Sequence, residues 1–135
     1  GTLINSLRGI HILVPRNFVE SVGMYNTLLS SDEPGIIIEP LNSYRLKENL
    51  PTNLSEIKVE FGCPSILREG SDISIVTYGS MCKIVMDSAE QLQAVGISCE
   101  VIDVRTLLPF DKNDTILNSL KKTNRIVFAD EDVSR

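Results

Sequence analysis

The stretch Cys99-Glu100-Val101-Ile102-Asp103-Val104-Arg105-Thr106-Leu107-Leu108-Pro109-Phe110-Asp111 decides the fold. It begins as a β-strand, carries an acid and a guanidinium near its tip, and runs into a proline turn. Strand side chains alternate between faces, so Asp103 and Arg105 project to one side and Ile102 and Val104 to the other. Asp111 stands where a helix would begin. In open α/β sheets the strand tip is where ligands and partner subunits sit. The plain reading of Asp103 and Arg105 is an ion pair that steers the chain into its turn, structural rather than catalytic.

Working outward, the same strand–helix alternation recurs on both sides. Ile73-Ser74-Ile75-Val76-Thr77 reads as a strand, and Tyr78-Gly79-Ser80 as the turn into a helix. That helix carries Met81, Ile84, Val85, Ala89, Leu92 and Val95 on one side and ends at Gly96. Asp111 caps a further helix with Ile116, Leu117 and Leu120 inward, before a strand Ile126-Val127-Phe128-Ala129. The last strand lacks alternation, which predicts burial on both faces. Alternation at this spacing means a mainly parallel α/β sheet.

Upstream, Gly9 to Arg16 reads as a short strand, and Asn17 with Glu20 has the spacing of an N-cap and its reciprocal partner. Phe18, Val22, Tyr25 and Leu29 follow at steps of four, three and four, which gives one apolar helix face. Gly35 to Glu39, with its Ile36-Ile37-Ile38 run, reads as a strand buried on both faces, completing a βαβ unit. Residues 41–64 are polar and rich in Asn, Gly and Pro, and read as a linker; Ser65 to Arg68 adds a short strand.

Composition narrows the function classes. With 42% apolar and 23% charged residues, the chain has the makeup of a soluble globular protein. A formal net charge of −5 argues against a nucleic-acid partner, because phosphate binding needs clustered Lys and Arg. The one basic cluster, Lys121-Lys122 with Arg125, sits at a helix end and complements its dipole. No apolar run approaches the roughly 20 residues that span a membrane. Three widely spaced cysteines, Cys63, Cys82 and Cys99, suit a reducing, cytoplasmic setting better than a disulfide framework or a zinc site. A start at Gly1 and an end at Arg135 just past a strand are expected of a piece of something longer.

Other polar residues read as structural. Gly79 and Ser80 lie at a helix N-terminus, but a phosphate site would need a longer glycine loop. His11 is the one histidine and reads as a surface or interface residue, with no partner to orient it as a base. Asp130-Glu131-Asp132 reads as a solvated or interface loop, since three consecutive acids alternate direction.

The stretch from Val101 to Asp111 resembles the signature of the C-terminal domain of thiamine-diphosphate-dependent 2-oxoacid dehydrogenases, beta subunit, within the transketolase-like superfamily. His11 to Arg16, Glu33 to Pro40, Arg68 to Asp72, Val76 to Gly79 and Lys121 to Arg125 agree with it in the same order. The resemblance implies a three-layer α/β/α domain with a mainly parallel sheet, preceded by a βαβ remnant of a second α/β domain. Residues 1–40 would be the end of the pyrimidine-binding domain, 41–64 the linker, and 65–135 most of the transketolase-type C-terminal domain.

The implied activity is oxidative decarboxylation of pyruvate or a branched-chain 2-oxo acid, with acyl transfer to lipoamide. In that family the cofactor carries the hard chemistry. Thiamine diphosphate and Mg²⁺ belong to the full enzyme, and none is expected on this stretch, which lacks a Gly-Asp-Gly motif and the activating glutamate. No catalytic residue is therefore assigned, and the chain alone is expected to be inactive. Relatives also imply a monovalent cation held by backbone carbonyls matching Leu28, Ser31 and Glu33, and subunit or domain contacts at Tyr44 and Arg45. Implied partners are an alpha subunit or upstream catalytic domains, a second copy, and the dihydrolipoyl acyltransferase. Alternatives are a transketolase or deoxyxylulose-phosphate synthase relative, or a stand-alone α/β interaction domain.

Overall fold

A computed structural model of the chain describes residues 7–41, 47 and 49–131. The elements are β1 (His11–Leu13), α1 (Phe18–Leu29), β2 (Gly35–Ile37), a single 3₁₀ turn (Leu54–Glu56), β3 (Ser65–Arg68), β4 (Ile73–Thr77), α2 (Met81–Ala94), β5 (Cys99–Asp103), β6 (Thr106–Leu108), α3 (Thr115–Thr123) and β7 (Ile126–Phe128). They form two sheets, ordered β2-β1-β6 and β3-β5-β4-β7.

The second sheet carries the three-layer architecture expected from the sequence. β4 and β5 pair in parallel from Ile73–Cys99 to Thr77–Asp103, β7 joins β4 in parallel, and β3 joins β5 antiparallel. Alternation then sorts the side chains by face. Ile75, Cys99 and Val101 pack against Val85 and Ala89 of α2. On the other face Val76, Ile102 and Val104 pack against Ile116 of α3. α3 also meets the sheet through hydroxyls: Ser74 Oγ lies 2.6 Å from both Ser119 Oγ and Thr123 Oγ1. Both faces of β5 are covered, and all five of its residues are buried.

Local signals hold at several ends. Asn17 Oδ1 accepts from the Glu20 N–H at 2.9 Å and opens α1. Asp111 accepts from the N–H groups of Thr115 and Ile116 at 2.8 Å each, so it caps α3 from four residues upstream. Gly70 is required by close approach: a Cβ there would stand 2.1 Å from the carbonyl carbon of Cys99.

Other expectations are overturned. α1 buries Glu20, Ser21, Gly23 and Met24, while Phe18, Tyr25 and Leu29 are 50%, 45% and 84% exposed. The apolar stripe of α1 is thus largely exposed, with Val22 half-buried, because the inner face is taken by the segment 57–61. Val59 and Phe61 pack there on Met24 and Leu13, so part of 41–64 is core rather than loose linker. β2 and β7 are edge strands, which leaves Ile36, Val127 and Phe128 exposed instead of buried on both faces. In α2, Cys82 is inward while Ile84 and Val95 face out, and in α3 Leu117 faces out while Ser119 and Thr123 face in.

The largest departure is a strand the sequence did not signal. After Val104 the chain leaves the second sheet, and Thr106–Leu108 pairs antiparallel with β1 in the first. The crossing is a γ-turn: the Thr106 N–H donates to the Val104 carbonyl at 2.6 Å, around Arg105 at φ +60°. Residues 106–108 fall within the stretch read as the second domain, yet they build the first sheet.

Candidate functional site

Both central strands end at the junction between the sheets, and their tips bring four charged side chains together. Arg16 follows β1, Glu20 lies in the first turn of α1, Asp103 closes β5, and Arg105 makes the γ-turn. Arg16 Nη1 donates to Asp103 Oδ2 at 2.8 Å and also to Glu20 Oε1. The other Asp103 oxygen accepts the Arg105 N–H at 3.0 Å.

The expected pairing of Asp103 with Arg105 is therefore corrected. The left-handed backbone at Arg105 turns its guanidinium away to the Cys63 carbonyl, which Nε reaches at 3.1 Å, with Glu20 Oε1 at 4.0 Å. Asp103 takes its ion partner from the other sheet instead.

The electrostatics follow from burial. Two carboxylates and two guanidinium groups balance in charge, and Asp103 is wholly buried. Burial, then the charge of Asp103, pushes the Glu20 carboxyl above its ordinary 4.5; Arg16 and Arg105 partly offset this. Burial alone would lower Arg16, but Glu20 and Asp103 outweigh it and hold the guanidinium protonated. Burial and Asp103 also push the Cys82 thiol far up, so it is no nucleophile at neutral pH. With the oxygens of Asp103 engaged and Glu20 tied to Arg16, the cluster offers no free base. It can clamp two sheets together. A cavity of about 390 Å³ lined by Arg16, Leu67, Cys82, Lys83 and Met86 opens beside it.

A second charged group, missed in the sequence, sits on the opposite face. Glu100 is 1% exposed and is bound by Lys122, which also reaches Glu69 at 2.9 Å. Burial would raise Glu100, but hydrogen bonds from Lys122, Ser119 and the Gly70 N–H hold it below the usual carboxylate range. The signal was an acid at an inward position of a buried strand. Lys122, read as a helix-dipole partner, is its counter-ion. His11 likewise has a partner that sequence reading did not supply: Glu33 binds its Nε2, and its ring lies 4.9 Å from that of Phe61.

Of the expected cation loop, the Leu28 carbonyl accepts both the Ser31 N–H and the Ser31 hydroxyl at 3.0 Å, which commits it to the helix end. Among the described residues, no three His, Cys, Asp or Glu side chains group as metal ligands. The acids at the junction are already paired with arginines, so they do not fit a thiamine diphosphate–Mg²⁺ site. Tyr44, Arg45 and Asp132 lie outside the described residues. No described helix is long and apolar enough to cross a membrane.

Comparison with known proteins fits this architecture. The family model "Transketolase, C-terminal domain" matches residues 63–135. Pyruvate dehydrogenase E1 component subunit beta of Rickettsia felis is 39% identical over 123 residues, covering 91% of this chain and 37% of the relative. The mitochondrial 2-oxoisovalerate dehydrogenase subunit beta of Chaetomium thermophilum is 35% identical over 133 residues, covering 96% and 27%. Among solved structures, a split-gene transketolase described as an inactive beta4 tetramer superposes with a TM-score of 0.77 at 25% identity, covering 94% of this chain and 40% of that one. The chain thus spans between about a quarter and little more than a third of the length of the curated relatives it matches.

Proposed function

The chain belongs to the transketolase C-terminal domain family, and from that premise we propose that it is part of the beta component of a 2-oxoacid dehydrogenase. The observation that carries this reading is the 39% identity to a pyruvate dehydrogenase E1 beta subunit across 91% of the chain. On this reading the whole enzyme decarboxylates pyruvate or a branched-chain 2-oxo acid and passes the acyl group to lipoamide. Thiamine diphosphate with Mg²⁺ would supply the carbanion chemistry from residues outside this stretch. The setting would be cytoplasmic, in line with three free cysteines.

The chain's own residues then serve assembly. Arg16, Glu20, Asp103 and Arg105 lock the strand tips of two α/β units so that neither rotates against the other. Partners would be an alpha subunit, a second copy and the dihydrolipoyl acyltransferase, with Tyr44 and Arg45 at subunit or domain contacts. A transketolase relative is the second reading, favoured by the transketolase neighbours among solved structures.

The test uses the complete protein that contains this sequence, with its alpha subunit. We expect CO₂ release from pyruvate or 3-methyl-2-oxobutanoate, dependent on thiamine diphosphate and Mg²⁺ and coupled to reductive acylation of lipoamide. Ketol transfer between sugar phosphates without 2-oxo acid turnover would favour the second reading instead.

A further inference from the structure

We propose that the cavity beside the charged cluster is a binding site for a small aliphatic monocarboxylate. It goes beyond the assembly role and is independent of which reaction the complete protein performs.

The cavity, about 390 Å³, is lined from the end of β1, the start of α1, β3 and the first turns of α2. Its polar rim is made of donors. Arg16 commits Nη1 to Glu20 and Asp103, which leaves Nε and Nη2 with no acceptor among the described residues, on a side chain 26% exposed. Asn17 Oδ1 accepts the Glu20 N–H, which fixes the amide orientation and leaves Nδ2 as a donor without a partner among the described residues. Lys83 is exposed and makes no hydrogen bond or ion pair among the described residues. No carboxylate lines the cavity, because Glu20 and Asp103 are buried behind Arg16. Three side chains that offer donors, with no acceptor facing them, are the complement of an oxyanion.

The charge count sets the valence of that anion. Arg16 and Arg105 are balanced by Glu20 and Asp103, so Lys83 leaves the rim one positive charge. A monoanion matches it; a phosphate dianion or a dicarboxylate would bring a second charge with no counter-ion. The floor sets the rest of the ligand. Leu67 and Met86 line it, half-buried against the core beneath. The Cys82 thiol is hydrogen-bonded to Asp103 and so adds no polar group to the floor. An apolar floor with a few convergent donors is the make-up of a small-molecule pocket, and such pockets run from about 300 to 1,000 Å³. Met86 is flexible and adapts to straight or branched tails.

The test is methionine-methyl NMR of this chain titrated with 4-methylpentanoate to about 20 mM, which reads dissociation constants on the order of 1 mM. The chain has three methionines, and Met24, fully buried against Leu13 in the other unit, is the internal reference. The Met86 signal should shift saturably while that of Met24 stays in place. Acetate, which lacks the tail, should bind about 10-fold or more weakly. The amine 4-methylpentylamine, with the charge reversed, should not compete. Lys83→Glu should raise the dissociation constant by about 10-fold or more, and Lys83→Arg should keep it within about threefold of wild type. Both variants should leave far-UV circular dichroism unchanged, since Lys83 is exposed. No shift at Met86 over this range would overturn the site. So would acetate binding as tightly as 4-methylpentanoate, which would reduce the rim to a general anion patch, or binding indifferent to Lys83→Glu.

Discussion

Arg16 and Asp103, 87 positions apart, meet at 2.8 Å where β1 and β5 end. The Arg16 guanidinium bridges the βαβ unit and the second sheet, and it also holds Glu20. Its removal and that of its partner should therefore differ. Arg16→Met leaves buried Asp103 with the Arg105 N–H but no counter-ion, and Glu20 with the Arg105 guanidinium 4.0 Å away, and should cost about 3–5 kcal/mol. Asp103→Asn keeps an acceptor, and Arg16 keeps Glu20, so about half that loss is expected. Urea unfolding at pH 7 measures both; equal losses would mean that the charge of Asp103 matters as much as its geometry.

Arg105 separates backbone from side chain. Arg105→Ala removes the bonds to the Cys63 carbonyl but keeps the left-handed turn, and should cost about 1–3 kcal/mol. Arg105→Gly loses the same bonds yet adopts φ +60° freely, so it should be more stable than the alanine variant by about 1 kcal/mol. Paired denaturation curves decide this.

The two buried glutamates should oppose each other in pH dependence. Glu20 is raised by burial and by Asp103, so the folded state binds its proton more tightly; its contribution to stability falls as pH rises from 4.5 through the raised value. Glu100 is held low, so its contribution is present above 4.5 and is lost as pH falls through the lowered value. Glu20→Gln should therefore narrow the stability gap to wild type, or reverse it, as pH rises from 5 to 7. Glu100→Gln should show its largest deficit at neutral pH and a smaller one below pH 4. Unfolding free energies across that range provide the check.

Gly70→Ala should be among the most damaging single changes. A methyl group there would stand 2.1 Å from the Cys99 carbonyl carbon and 2.2 Å from the Glu100 nitrogen, both backbone atoms of the central strand. Backbone cannot yield as a side-chain end does, so a loss of about 3 kcal/mol or more is expected, seen as a lower melting temperature.

The sequence made the elements legible more readily than their faces. Periodicity located α1, α2 and β5, and the polar residues Asn17 and Asp111 marked helix starts through bonds made within a few residues. Facing depends on what lies across the contact. Phe18, Tyr25 and Leu29 form a regular stripe, but Val59 and Phe61 reach the opposite side of α1 from more than 30 residues away, and no local pattern records that. The site was half legible for the same reason. Asp103 and Arg105 were visible as charges at a strand tip, whereas their partners Arg16, Glu20 and Cys63 are set by tertiary approach. β6 was hidden because Thr106–Leu108 is only three residues long and follows a non-glycine residue in a left-handed conformation.

That short strand changes what counts as a separable unit. Because β5 runs through one γ-turn into β6, the first sheet cannot lose its antiparallel member without disturbing the end of the second. A cut between the two α/β units would remove a strand from whichever piece it left behind. In native-state hydrogen exchange, the amides pairing Leu13 with Thr106 should open together with those of Val101 to Asp103, as one cooperative unit. Unfolding by pulling on the two ends would meet its resistance at this crossover, where both sheets must yield at once.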